Sequence, residues 1–109
     1  MRRYEVLLTE DAQKDIEGIH RFVTESDSPA VANRVLDRLV EVAESLTVFP
    51  ERGAFPREME VVGMRDFRQV FFKPYRVIYR IRDRSVFIYL IADGRRNLQP
   101  LLARRLLGG

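Results

Sequence analysis

The sequence predicts an α+β fold: a two-layer domain in the order β-α-α-β-β-β, with a helical hairpin packed on one face of a mainly antiparallel sheet, plus a short C-terminal helix or extension. Two adjacent N-terminal stretches repeat apolar residues at helical spacing, and three later stretches alternate apolar and polar residues. The spacers between the later three are short, as in antiparallel hairpins. A chain of 109 residues fits one domain spanning 1–109, because roughly 65% of the unfolded surface can be buried at this size.

Residues 3–9 place Tyr4, Val6 and Leu8 on one side, which predicts a short first strand. Thr9 then suits an N-cap, since its hydroxyl can accept from free amides of the following turn, and Glu10 and Asp11 favour the positive end of the helix dipole. A first helix over about 10–26 carries Ala12, Ile16, Ile19 and Val23 as its apolar stripe, with Phe22 beside them. Glu10, Asp11, Asp15 and Glu17 read as its solvated face.

Asp27-Ser28-Pro29 ends that helix and opens a second, to about residue 48, because proline suits the first helical position and Ser28 can cap. Its stripe is Ala32, Val35, Leu36, Leu39, Ala43 and Leu46. From Phe49 to Met64, Pro50, Gly53, Pro56 and Gly63 interrupt any regular pattern and predict a loop. Strands follow at about 65–72, 75–82 and 85–92, separated by Lys73-Pro74 and Asp83-Arg84, and the N-terminal strand joins this meander. In the tail, Leu98, Leu101, Leu102, Leu106 and Leu107 have a helical rhythm that Pro100 confines.

The charge is segregated. Residues 1–64 hold 8 Lys+Arg against 13 Asp+Glu, a balance of −5, whereas residues 65–109 hold 11 against 3, a balance of +8. Such a basic half suits a polyanionic target or an acidic protein partner. With no cysteine and one histidine, disulfides and thiolate metal sites are excluded, and neither metal nor cofactor is expected. The apolar runs are far shorter than the ~20 residues of a membrane helix, and Met1-Arg2-Arg3-Tyr4-Glu5 lacks an apolar signal region, so a cytoplasmic protein without a membrane partner is expected.

The candidate binding residues lie in the basic half. Alternation along Tyr75–Arg82 puts Val77, Tyr79 and Ile81 toward the helices and Arg76, Ile78, Arg80 and Arg82 on the opposite face, which should stay open. Unpaired guanidinium groups need solvent, phosphate or carboxylate opposite them. A solvated face with cross-strand partners such as Asp66 suits Arg80 and Arg82 equally well. Asp93-Gly94-Arg95-Arg96 places two guanidiniums beside a glycine turn whose amides can meet an anion, although a charged strand end explains it too. Tyr75, Tyr79 and Tyr89 can stack on bases but equally serve as packing residues. His20 has no serine, cysteine or second histidine in a recognisable relation to it and reads as a helix-surface residue.

Thr9-Glu10-Asp11-Ala12, Pro50-Glu51-Arg52-Gly53 with Pro56 and Gly63-Met64-Arg65, Tyr75 to Arg80, and Asp93-Gly94-Arg95-Arg96-Asn97 together resemble the RelE/ParE toxin superfamily of bacterial type II toxin–antitoxin modules. The resemblance spans nearly the whole chain. It implies either RelE-like, metal-independent cleavage of mRNA at the ribosome or ParE-like inhibition of DNA gyrase. It also implies a cognate antitoxin, in complexes with two or more toxin copies, and no small-molecule substrate.

On the nuclease pattern, Arg76 and Arg96 match the strand arginine and the post-glycine arginine that clamp the scissile phosphate. The lysine pair of that pattern falls around Phe67 to Gln69, where only Arg68 is basic, and its tyrosine meets Leu101-Leu102. Without a proton acceptor, general acid/base catalysis loses a contribution of roughly 10²–10⁴-fold. The ParE-like reading is therefore preferred, with no catalytic residue assigned and Arg65, Arg68, Arg76, Arg80, Arg82, Arg95 and Arg96 as target- or antitoxin-binding candidates. Leu98, Leu101 and Leu102 are the apolar antitoxin-facing candidates. A ribosome-dependent endoribonuclease is the first alternative; a non-catalytic nucleic-acid-binding or inactive paralogue is the second.

Overall fold

The computed structural model describes residues 3–106. Strand β1 (Glu5–Leu8) leads into helices α1 (Glu10–Ser26) and α2 (Pro29–Ser45), followed by a 3-10 turn at Pro50–Arg52 and a single-turn helix, α3 (Arg57–Glu60). Strands β2 (Phe67–Phe72), β3 (Tyr75–Arg82) and β4 (Ser85–Asp93) then lead to helix α4 (Gln99–Leu106). The sheet order is β1-β4-β3-β2. β1 runs parallel to β4, while β2, β3 and β4 form antiparallel pairs.

Local chemistry sets the helix starts as the sequence predicts. Thr9 Oγ1 accepts from the Ala12 amide at 3.1 Å, and Ser28 Oγ accepts from the Val31 amide at 3.1 Å, each satisfying an amide that the helix itself leaves free. α2 stops at Ser45 rather than near residue 48. Its end is fixed from outside: Arg52 Nη1 donates to the Ser45 carbonyl at 3.2 Å and Nη2 donates to Ser45 Oγ at 2.6 Å. The region predicted as loop contains α3, and β2 begins at Phe67 rather than residue 65. Leu107, the last leucine of the predicted tail helix, lies outside the described residues.

The helical hairpin covers one sheet face. Ala12, Leu39, Leu46, Val77, Tyr79, Val86, Ile88 and Ile91 form the buried cluster there, with Val6, Ile16 and Ile81 packed around it. Tyr79 is fully buried, and its hydroxyl donates to the Pro50 carbonyl. Gly53 makes room for this: a Cβ there would run into the Tyr79 hydroxyl and sit 2.9 Å from the Gln69 carbonyl.

The opposite face is not left open. Met59, Phe67, Ile78, Leu90, Ala92, Leu98 and Leu102 form a second buried cluster, in which α3 and α4 lie over one half of the sheet. The leucine rhythm of the tail explains this, because Leu98 and Leu102 leave water against Ile78 and Leu90, each contributing about 1.5–3 kcal/mol. A bulge between Ile78 and Tyr79 in the β3–β4 register makes it possible. The extra residue on β4 sends both Tyr89 and Leu90 to this face, while Ile91 returns to the helical hairpin. The half carrying Arg80, Arg82 and Phe87 stays uncovered.

Candidate functional site

Arg76 is the most committed of the candidate arginines. It is 9% exposed in β3, its Nε donates to Gln69 Oε1 at 2.8 Å, and Nη1 and Nη2 donate to the two carboxylate oxygens of Glu58, each at 2.7 Å. The guanidinium hydrogen bonds hold the Glu58 carboxyl below its ordinary value against the opposing effect of burial. Gly94 lets the arginine pass: a Cβ at that position would lie 2.8 Å from both Cγ and Cδ of Arg76. The sequence places Arg76 on an open face, whereas α3 folds over it and supplies the carboxylate. No periodicity in residues 49–64 signals that helix, but Glu58 sits in the longest stretch there free of Gly and Pro, residues 57–62.

The remaining arginines have separate positions. Arg68 Nη1 donates to the Glu51 and Gly53 carbonyls at 2.7 and 3.0 Å, tying the 3-10 turn to β2. Its guanidinium and that of the exposed Arg65 each lie 4.6 Å from the Phe55 ring centroid. Arg80 Nη2 donates to the Tyr89 hydroxyl at 2.8 Å, with Phe67 and Tyr89 rings at 5.2 and 5.3 Å. Arg82 is exposed.

At the end of β4, Asp93 accepts from Arg95 Nε and Nη2 at 2.9 and 2.6 Å and from the Arg95 amide at 2.9 Å. These bonds hold the Asp93 carboxyl down at about 2. Arg96 is exposed, and its amide donates to the Asp93 carbonyl. The structure therefore separates Arg76 and Arg96, the two residues that match the phosphate clamp, into a buried ion pair and an exposed cation.

Arg96 stands at a groove of about 430 Å³ where α1, the end of β4 and α4 meet. Gly18, Ile19 and Phe22 line it from α1, Tyr75 and Ile91 from the sheet, and Leu101 from α4, with Lys14 and Arg96 as cations. Phe22 is 68% exposed there. Burial, followed by the nearby Asp93 charge, pushes the Tyr75 hydroxyl up from its ordinary value. Of the three candidate leucines, only Leu101 reaches this groove; Leu98 and Leu102 are buried in the chain's own second core, removed from water by packing on the sheet.

His20 lies within 2.8 Å of Asn33 Oδ1, linking α1 to α2. Tyr79 is enclosed in the first core and Tyr89 holds Arg80, so Tyr75 is the tyrosine that lines the groove. Among the described residues, no cluster of three His, Cys, Asp or Glu side chains could hold a metal, and no helix is long and apolar enough to cross a membrane.

Two residues outside the sequence-derived set form a buried ion pair beside the groove, which Asp15 lines. Asp15 is not part of a solvated helix face: it accepts from Arg105 Nη1 and Nη2 at 2.8 and 2.6 Å, and both side chains are 14% exposed. The signal for Asp15 is its position four residues after Asp11 and next to Ile16 of the apolar stripe. Arg105 carries no comparable signal in a tail rich in arginine and leucine.

The chain is similar to known proteins in sequence and in fold. The ParE toxin of the parDE type II toxin–antitoxin system, as a family model, matches residues 6–98. Toxin ParE3 of Caulobacter vibrioides is 32% identical over 100 residues, covering 92% of this chain and 96% of its own. A chromosomal ParDE toxin–antitoxin system from P. aeruginosa superposes with a TM-score of 0.70 at 17% identity, over 84% of this chain and 96% of that one, a likeness of fold. The toxin–antitoxin complex RelBE2 of Mycobacterium tuberculosis superposes with a TM-score of 0.63 at 25% identity, over 85% and 93%. Since the family match runs from β1 through the second core to Leu98, the chain belongs to the ParE toxin family of type II toxin–antitoxin systems.

Proposed function

We propose that this ParE-family toxin arrests growth by binding and inhibiting DNA gyrase, without hydrolytic chemistry of its own. The observation that carries this reading is the closure of Arg76. A nuclease clamp needs that guanidinium free for a phosphate, and here Glu58 engages it with both carboxylate oxygens. The sequence also supplies no lysine pair on β2 and no tyrosine after Arg96. A supercoiling assay with purified gyrase tests the proposal: inhibition that rises with toxin concentration is expected, and full supercoiling at saturating toxin rules it out.

A cognate antitoxin is the second partner, in a complex with two or more toxin copies. The groove between α1 and α4 supports it, since Phe22 and Leu101 offer apolar anchors between Lys14 and Arg96 for an extended, partly acidic segment. Calorimetry against the product of the adjacent gene should show tight binding; no heat at micromolar concentrations would count against it.

The likeness to the RelBE2 complex and the exposed Arg96 favour a ribosome-dependent endoribonuclease as the other reading. Transcript mapping after induction separates the two. Cuts within codons that disappear in Arg96→Ala indicate the ribonuclease, and uncut transcripts together with arrested supercoiling indicate the gyrase inhibitor.

A further inference from the structure

On the half of the second sheet face that α4 leaves uncovered, Arg80, Arg82, Ser85, Phe87 and Tyr89 line a pocket of about 400 Å³. Arg80 is the anomaly in it. The other half-buried or buried arginines in this sheet and its flanking helices have carboxylate or carbonyl acceptors: Glu58 for Arg76, Asp15 for Arg105, main-chain carbonyls for Arg68. Arg80 has only the Tyr89 hydroxyl and two ring faces, and its Nε is buried without an acceptor. A cation withdrawn from water without a counter-charge calls for an anion.

We infer that this pocket binds a nucleotide unit, its phosphate between Arg80 and Arg82 and its base against Phe87. The Tyr89 hydroxyl and the two rings already hold the Arg80 guanidinium in place, so little freedom is lost on binding. Arg82 is exposed and adds the second charge, Ser85 contributes a hydroxyl, and an aromatic ring beside paired cations is the combination that receives a stacked base. Asp83 lines the pocket in the hairpin turn, and the hydrogen-bond partner of Arg80 is the Tyr89 hydroxyl, not this carboxylate. An extended peptide fits poorly here. β4 is paired with β1 over Ser85–Ile88 and β3 with β2 as far as Arg80, so beside the pocket only Ile81 and Arg82 of β3 lack a neighbour on the β2 side, too short an edge to add a strand.

The test is fluorescence anisotropy of the full chain with a short labelled single-stranded oligonucleotide, repeated with Arg82→Ala, Phe87→Ala and Arg34→Ala. The first removes an exposed charge without touching the core, and the last removes an equal charge from the exposed side of α2. Arg82→Ala should weaken binding roughly tenfold, as for one lost charge-assisted contact. Its salt slope should fall by about 0.7 for each phosphate released on a single strand. Phe87→Ala should weaken binding without changing that slope, and Arg34→Ala should leave both unchanged.

Competition with a free nucleoside monophosphate identifies the source: displacement at equal nucleotide concentration assigns a free nucleotide, and failure to displace assigns a polynucleotide. Equal affinity in wild type and Arg82→Ala, or displacement by poly-glutamate at equal charge, overturns the inference. It goes beyond the gyrase reading and fails separately from it, because loss of nucleotide binding in Arg82→Ala with supercoiling inhibition intact leaves that reading standing.

Discussion

Asp15 in α1 and Arg105 in α4 close a double hydrogen bond across 90 residues of sequence, at 2.8 and 2.6 Å. The pair also seals a gap in the sheet. β1 reaches only as far as Ile88, and beyond it Asp15 Oδ2 accepts from the Ile91 amide at 2.9 Å while Arg105 Nη1 donates to the Tyr89 carbonyl at 2.9 Å. Two main-chain groups at the bulge are thus satisfied by side chains from the two layers that sandwich the sheet.

Removing Arg105 strands the nearly buried Asp15 carboxylate, and removing Asp15 leaves Arg105 only the exposed Asp11 carboxylate at 3.7 Å. Asp15→Ala and Arg105→Ala are each expected to lower unfolding stability by about 3 kcal/mol. The double variant should lose clearly less than the sum, since the second substitution removes the stranded charge. Urea denaturation of all three variants measures this, and simple additivity would show that the pair is not coupled.

Glu58 makes stability depend on acid. Its carboxyl is held below the ordinary value of 4.5 by Arg76, so the pair contributes fully above that value and the contribution is lost as pH falls through the folded-state value. The folded protein binds this proton less readily than the unfolded chain, which is why acid favours unfolding. Urea midpoints recorded from neutral pH to about pH 3 should fall more steeply for wild type than for Glu58→Gln. Parallel curves would remove Glu58 from the acid response.

Gly94→Ala is expected to cost about 1–3 kcal/mol, the range for overpacking, because its Cβ meets Arg76 Cγ and Cδ at 2.8 Å and the Pro74 carbonyl at 3.3 Å. The arginine stem cannot swing aside without breaking its bonds to Glu58. In an Arg76→Ala background the same substitution should cost markedly less, and thermal melts of the two pairs decide the point.

The tail leucines should behave differently. Leu98 is fully buried, so Leu98→Ala should destabilise by roughly 2–5 kcal/mol. Leu101→Ala, at the groove and half-buried at the margin of the second core, should lower the melting temperature clearly less and weaken antitoxin binding, as read by calorimetry. Equal destabilisation by both substitutions would place Leu101 in the core instead.

Arg96→Ala should keep the wild-type melting temperature, because the side chain is exposed. It should also reduce growth inhibition on induction if this cation meets the target. Arg95→Ala at the neighbouring position frees Asp93, whose carboxyl should then titrate above about 2, measurable by NMR.

Much of the fold was legible in the residues because its causes are local. The stripes of α1 and α2, the Thr9 and Ser28 caps, and the alternation that turns Val77, Tyr79 and Ile81 toward the helices follow from period and hydrogen-bonding capacity. The arginines were legible as a set for the same reason.

Their roles depended on long-range contacts that no local pattern foretells. α3 lies in a stretch punctuated by proline and glycine and brings the Glu58 carboxylate onto Arg76; the β4 bulge turns Leu90 toward Leu98 and Leu102; α4 carries Arg105 back to Asp15. The sequence by itself determined the layers, the order of elements and the basic half of the chain. Tertiary structure alone decided that Arg76 and Arg105 are neutralised from distant segments while, among the described residues, Arg82 and Arg96 form no ion pair and face solvent. Charge pairing depends on through-space distance and burial, and both are set only when segments far apart in sequence pack together.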